Sequence, residues 1–126
     1  MTDKNPFTRL PLKRAEFHIL LALAGGEQHG YSIMQEVDAL TDGAVQLGPG
    51  TLYTSIKRMV SDGLIEESDN RPDPALDDQR RRYYRLTDFG LRVAAAESQR
   101  LANLVDVARA RRLLEQGSGL TGSTTP

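Results

Sequence analysis

Thr51, Thr54, Ser55 and Arg58 recur at intervals of three and four, with Lys57 beside the arginine. That spacing stacks the three hydroxyls and the guanidinium on one side of a helix. The face is small, hydroxylated and basic, and no acid follows before Asp62. Such a surface fits a DNA major groove, where hydroxyls reach phosphates or base edges and an arginine pairs bidentately with guanine. It also describes the wet side of an ordinary amphipathic helix, the default in globular domains. Other chemistries lack their parts. There is no cysteine, and His18 and His29 are the only histidines, without carboxylates at ligand spacing, so no metal site is expected. Gly48-Pro-Gly-Thr lacks the lysine and hydroxyl residue that end a phosphate loop. No paired carboxylates sit in a glycine frame. Neither enzyme activity nor a cofactor is expected.

The elements that must position this face follow from apolar periodicity. Pro49 suits the first turn of the helix, Gly63 its left-handed end, and Leu52, Ile56, Met59 and Val60 its buried stripe. Ahead of it, Phe17, Leu20, Leu21 and Ala24 mark a first helix ended by Gly25-Gly26. A second helix runs from Gly30 to about Leu40 on Ile33, Met34, Val37 and Leu40. Tyr31 opens it, with its ring packing on the first helix. Asp42-Gly43 turns the chain, and residues 44–47 form an extended connector or minimal strand. Helix, helix, short link, helix is the order of a helix-turn-helix unit.

After Gly63, residues 64–68 and 83–86 read as an antiparallel hairpin across a proline-containing loop at 69–79, a wing. The returning strand carries Arg80, Arg81, Arg82 and Arg85. Arginines so placed reach the minor groove or flanking phosphates. The competing use is local neutralisation by Glu66, Glu67, Asp73, Asp77 and Asp78. Thr87 then caps a long helix, with Asp88 in its first turn, running to about Glu115. Leu91, Ala94, Ser98, Leu101, Val105 and Ala108 alternate by three and four along it, with Leu104 and Val107 widening the stripe. This narrow seam is that of a helix paired with its own copy, which predicts a homodimer.

Length and composition bound the rest. A chain of 126 residues with 39% hydrophobic residues predicts one domain with an appended element. The expected division is a flexible arm at 1–10, a winged helix-turn-helix at 11–86, a dimerisation helix at 87–116 and a disordered tail at 117–126. The fold class is mainly α with a small antiparallel hairpin. Net charge is −1, so DNA binding would rest on local charge, and an interaction module that has lost DNA binding is the alternative. The absence of cysteine, of a signal-peptide h-region and of a spanning apolar run predicts a cytoplasmic protein with no membrane partner.

Three groups of strings carry a resemblance to a known family. They are Ile19-Leu-Leu-Ala-Leu with His29-Gly-Tyr-Ser-Ile; Pro49-Gly-Thr-Leu-Tyr with Ile56-Lys-Arg-Met and Gly63-Leu-Ile; and Arg82-Tyr-Tyr-Arg-Leu-Thr ahead of Gly90. Together they span about residues 12–92, and the chain resembles the PadR-like transcriptional regulators, in the subgroup with a single helix after the wing. The resemblance implies a winged-helix repressor, dimeric through C-terminal helices, on a pseudo-palindromic double-stranded operator. It implies release by a small aromatic or cationic effector. By motif position, it assigns DNA contact to Thr51, Tyr53, Thr54, Ser55, Lys57 and Arg58 and a phosphate contact to Tyr31; the strand reading above adds Arg80, Arg81 and Arg82 of the wing. Dimer contacts fall to Leu91, Ala94, Leu101, Leu104, Val105 and Ala108, and effector walls to Phe17, Leu21, Leu101 and Val105. The chain departs from the family pattern at Gly48, where serine is common, in its acidic wing, and in having no tryptophan.

Overall fold

A computed structural model of the chain describes residues 5–68 and 82–115. In chain order these form α1 (Arg14–Ala24), β1 (Gln28–His29), α2 (Gly30–Leu40), α3 (Pro49–Ser61), β2 (Ile65–Ser68), β3 (Tyr83–Leu86) and α4 (Asp88–Ala110). The three strands make one antiparallel sheet with β3 in the middle, Tyr84 pairing with Gln28 on one side and Glu67 on the other.

The helices α2, α3 and α4 and strand β3 all pack on α1. Surrounded in this way, α1 buries Ile19, Leu20, Ala22 and Leu23, while Phe17 is half-buried and Leu21 and Ala24 are exposed. The expected stripe is therefore shifted. The run from Ile19 to Ala24 is apolar all round, so its period does not fix which side faces in. Ile33 and Val37 of α2 and Leu52, Ile56 and Met59 of α3 complete the helical core as expected, but Leu40 and Val60 lie outside it.

Turn chemistry sets the joints. Gly63 takes the left-handed conformation expected of it (φ 78°), and the Leu64 N–H donates to the Met59 carbonyl at 2.9 Å. Both side chains are buried, giving the apolar contact that accompanies this type of helix end. Thr87 caps α4 as expected, its Oγ1 accepting from the Gly90 N–H at 2.9 Å and donating to the Gly63 carbonyl at 2.6 Å. Gly90 then lies so close to β2's approach that a Cβ there would stand 1.8 Å from the Leu64 carbonyl oxygen.

Three expectations are corrected and one alternative is decided. Residues 28–29 form a strand where only a connection was expected, since two residues carry no period. Of the two forms expected at 44–47, the connector is found: Val45 is buried and its N–H donates to Thr41 Oγ1 at 3.0 Å, a side-chain substitute for a ladder bond. Residues 5–10 of the expected arm are ordered, with a 3₁₀ turn at Pro6–Arg9 lying against α4. Asn5 caps that turn, Arg9 pairs with Asp62, and the Leu12 N–H donates to Glu97 Oε2 at 3.1 Å. Finally, α4 stops at Ala110, not near Glu115. Arg112 adopts φ 63° and the Leu113 N–H donates to the Ala108 carbonyl at 2.8 Å, closing the helix without the glycine that usually signals such an end.

The first half of α4 belongs to the domain, with Phe89, Val93, Ala94 and Glu97 buried. Glu97 is held by Arg100 at 2.6 and 3.0 Å as well as by Leu12, and the arginine keeps its carboxyl below the usual range. The same helix face continues as Leu101, Leu104, Val105 and Ala108, of which Leu104 and Val105 are exposed.

Candidate nucleic-acid interface

Helix α3 starts without a side-chain cap, because Gly48 offers none, and Pro49 sets its first turn. With Leu52, Ile56 and Met59 turned inward, Thr51, Tyr53, Thr54, Lys57 and Arg58 are exposed together. Ser55 is not among them. It is 6% exposed, turned towards the start of α1, because positions 52, 55, 56 and 59 share one helical face. The hydroxylated stripe thus divides, with Ser55 at its inner margin.

Tyr53 sits at the boundary between the inner and outer faces of α3. Half of its surface is exposed, while its ring covers Gly30 so closely that a Cβ there would lie 2.5 Å from the Tyr53 hydroxyl. The glycine at the head of α2 makes room for the tyrosine of α3. His29 caps α2 beside it, Nδ1 accepting from the Ser32 N–H at 3.3 Å, and its ring meets Tyr83 of β3 edge-on at 5.4 Å. This role was invisible in the sequence, where histidine is not a usual cap. Tyr31 does not pack on α1 as expected: it is 57% exposed and projects on the first turn of α2.

The cations divide into paired and unpaired. Arg58 lies 3.7 Å from the carboxylate of Glu16, a buried residue of α1 that was missed in the sequence because its neighbours are apolar. Arg82 pairs with Glu67 at 2.9 Å, and Arg85 with Glu66 at 2.8 Å and Glu27 at 3.9 Å. For these two, local neutralisation is the arrangement found. Arg80 and Arg81, with Asp73, Asp77 and Asp78, lie outside the described residues. Among the described residues, Lys13 and Arg14 at the start of α1, Lys57 on α3, and Arg111 and Arg112 after α4 have no ion pair. Three of these five cations lie on α3 or at the start of α1, which packs against it.

Of the dimer candidates, Leu91, Leu104 and Val105 are exposed and Leu101 and Ala108 half-buried. Ala94 is 7% exposed and packed in its own chain's core, so it is withdrawn from the seam. The effector candidates Phe17 and Leu101 are half-buried and Leu21 and Val105 exposed. Among the described residues no helix is long and apolar enough to cross a membrane.

Three helices with the third presented, followed by a two-stranded hairpin and a C-terminal helix, define a winged-helix transcriptional regulator. The chain belongs to the PadR-like family of transcriptional regulators, whose family model matches residues 19–96. It is 39% identical over 83 residues to Transcriptional regulator Rv3488 of Mycobacterium tuberculosis, covering 66% of this chain and 70% of that protein. Its fold is similar to a PadR family transcription regulator from Clostridium difficile, with a TM-score of 0.64 and 26% identity over 78% of this chain and 97% of that one. It is also similar to the PcaV transcriptional regulator from Streptomyces coelicolor in complex with its natural ligand. There the TM-score is 0.62 and the identity 25%, over 81% of this chain and 64% of that one.

Proposed function

We propose that this chain is a dimeric repressor that binds a pseudo-palindromic operator through α3. The observation that carries the reading is the unpaired charge of Lys13, Arg14 and Lys57 around a helix face exposing Thr51 and Thr54. In a protein of net charge −1, these three cations supply positive charge beside the helix face that would enter a major groove. In this reading Thr51 and Thr54 meet base edges, and Lys57, Tyr53 and Tyr31 meet phosphates. Arg58, held loosely by Glu16, turns towards a base. Ser55 is removed from base contact by its burial, and Arg82 stays with Glu67 as a minor contributor.

The exposed half of α4, with Leu101, Leu104, Val105 and Ala108, pairs with a second copy and sets two α3 helices about one turn, ~10 bp, apart. PcaV is a transcriptional regulator that binds a natural ligand, which supports release of this chain by a small effector. Such an effector acts only through differential affinity for two dimer geometries. In this reading Phe17 and Leu101, half-buried, and Leu21 and Val105, exposed, become walls of a pocket formed between copies.

The pairing of Arg82 and Arg85 with β2's glutamates favours one second reading, a winged helix that docks protein instead of DNA. Gel-shift titration on the DNA upstream of the protein's own gene, against random duplex, separates the two. Preferential binding that Thr54→Ala and Lys57→Ala weaken supports the repressor. Equal failure on both duplexes by a folded dimer supports the docking module.

A further inference from the structure

Two sets of polar contacts tie α4 to the end of α3, and they lie far apart along α4. The first is at its start, where Thr87 Oγ1 donates to the Gly63 carbonyl at 2.6 Å. The second lies nearly three turns, about 15 Å, further along the helix and runs through the segment ahead of α1. There Glu97 Oε2 accepts from the Leu12 N–H at 3.1 Å, the 3₁₀ turn at Pro6–Arg9 packs on α4, and Arg9 reaches across to pair with Asp62. Leu10 and Leu12 pack against the core between these polar ends. A tie at Thr87 alone would act as a pivot. The second tie turns the pivot into a fixed angle, and it does so with directional contacts, which the apolar packing of α4 on α1 does not supply.

Asp62 caps the C-terminus of α3, where the helix dipole disfavours an acid. What it gains there is Arg9. The arginine in turn leaves Nε buried without a hydrogen-bond partner among the described residues. Buried donors are ordinarily satisfied, so both members of the pair meet against a local cost, as in a contact kept for geometry.

We infer that Arg9 is a positioning residue for α3. With Asp62 and the Leu12–Glu97 bond, it makes residues 9–12 a strut that fixes the angle between α3 and α4. This rests on the dimeric DNA-binding reading above and deepens it. The far half of α4 holds the second copy, so that angle sets the separation of the two α3 helices and how strictly half-site spacing is read. Arg9 acts through Asp62 and not on DNA.

The chain has no cysteine, so spin labels can be placed at Lys57→Cys on α3 and Asn103→Cys on α4, both exposed. Labelled chain diluted with unlabelled chain reports the distance between the two helices within one copy. A narrow distribution is expected with Arg9 in place and a broader one in Arg9→Gln. It should narrow again when the pair is exchanged, Arg9→Asp with Asp62→Arg, which keeps the net charge and suits the dipole. Circular dichroism checks folding. If the exchange unfolds, Asp62→Asn takes its place and must broaden the distribution as Arg9→Gln does. An unchanged width in Arg9→Gln or Asp62→Asn, or one that a folded exchange fails to narrow, overturns the strut. Wild type and Arg9→Gln, unlabelled, are also titrated on the upstream duplex and on the same duplex with base pairs inserted at the centre of the wild-type footprint. Wild type should lose about tenfold or more on the altered spacing, because only one half-site is then engaged, and Arg9→Gln distinctly less. Equal discrimination by the two overturns the positioning role. If wild type binds no DNA, the repressor reading fails by itself, and the spin-label widths judge the strut alone.

Discussion

At the scale of single residues, the recognition face is governed by who is already paired. Among the described residues Lys57 has no ion pair, whereas Arg58 has Glu16, so substitutions at adjacent positions differ in kind. Lys57→Ala should leave stability within about 0.5 kcal/mol while weakening binding to all DNA and lowering the salt slope by about 1. Arg58→Ala should in addition cost on the order of 1 kcal/mol, because it leaves the buried carboxylate of Glu16 only the long bond from the Lys13 N–H. Adding Glu16→Gln should recover most of that loss, and thermal unfolding of the three variants checks the pattern. If Arg58→Ala and Lys57→Ala are equally stable, the pair has no structural weight. Which residues share α3's outer face was legible from spacing alone. That Ser55 turns inward and Arg58 leans on α1 was not, because both depend on a neighbouring helix whose phase is hidden in an all-apolar run.

At the scale of elements, the first half of α4 is tied through Glu97 to the segment that leads into α1. Arg100 and the Leu12 N–H keep that carboxyl below its ordinary value of 4.5. A depressed carboxylate contributes stability above its unfolded value and loses it as pH falls through the lower folded value. Wild type should therefore exceed Glu97→Gln in stability at neutral pH, and the gap should narrow as pH falls below 4.5 and through the lower folded value. Denaturant unfolding of both across that range measures it, and a gap independent of pH contradicts the ionic latch. A second test lies at the other end of the same element. Gly90→Ala drives a methyl into the Leu64 carbonyl, and since backbone cannot step aside as a side chain can, a loss of about 2 kcal/mol or more is expected. The latch could not be foreseen from sequence: Glu97 sits 85 residues from Leu12, and nothing local marks a glutamate as buried. The caps were different, since Thr87 and Gly63 announce themselves by type and position.

At the scale of the whole molecule, the apolar face of α4 outruns the domain that covers it. Its first half packs on α1, and its second half leaves Leu104 and Val105 bare. Heptad spacing marks this stripe but not where the domain ends along it, so spacing alone does not show that Ala94 is buried in its own chain. Replacing Leu104 and Val105 together by glutamate should give a folded monomer in analytical ultracentrifugation, with DNA affinity reduced at least a hundredfold by loss of the second half-site. A dimer that persists would place the interface elsewhere. The central claim is that free positive charge beside α3 meets DNA phosphates. It is tested most directly by the wild-type affinity for the upstream duplex between about 50 and 200 mM salt, the range over which phosphate contacts cost most. A linear fall of log affinity with log salt is expected, with a slope corresponding to several phosphates for the dimer, and a shallower one for Lys57→Ala. A folded dimer that binds no duplex at the low end, or binds with no salt dependence, would contradict it.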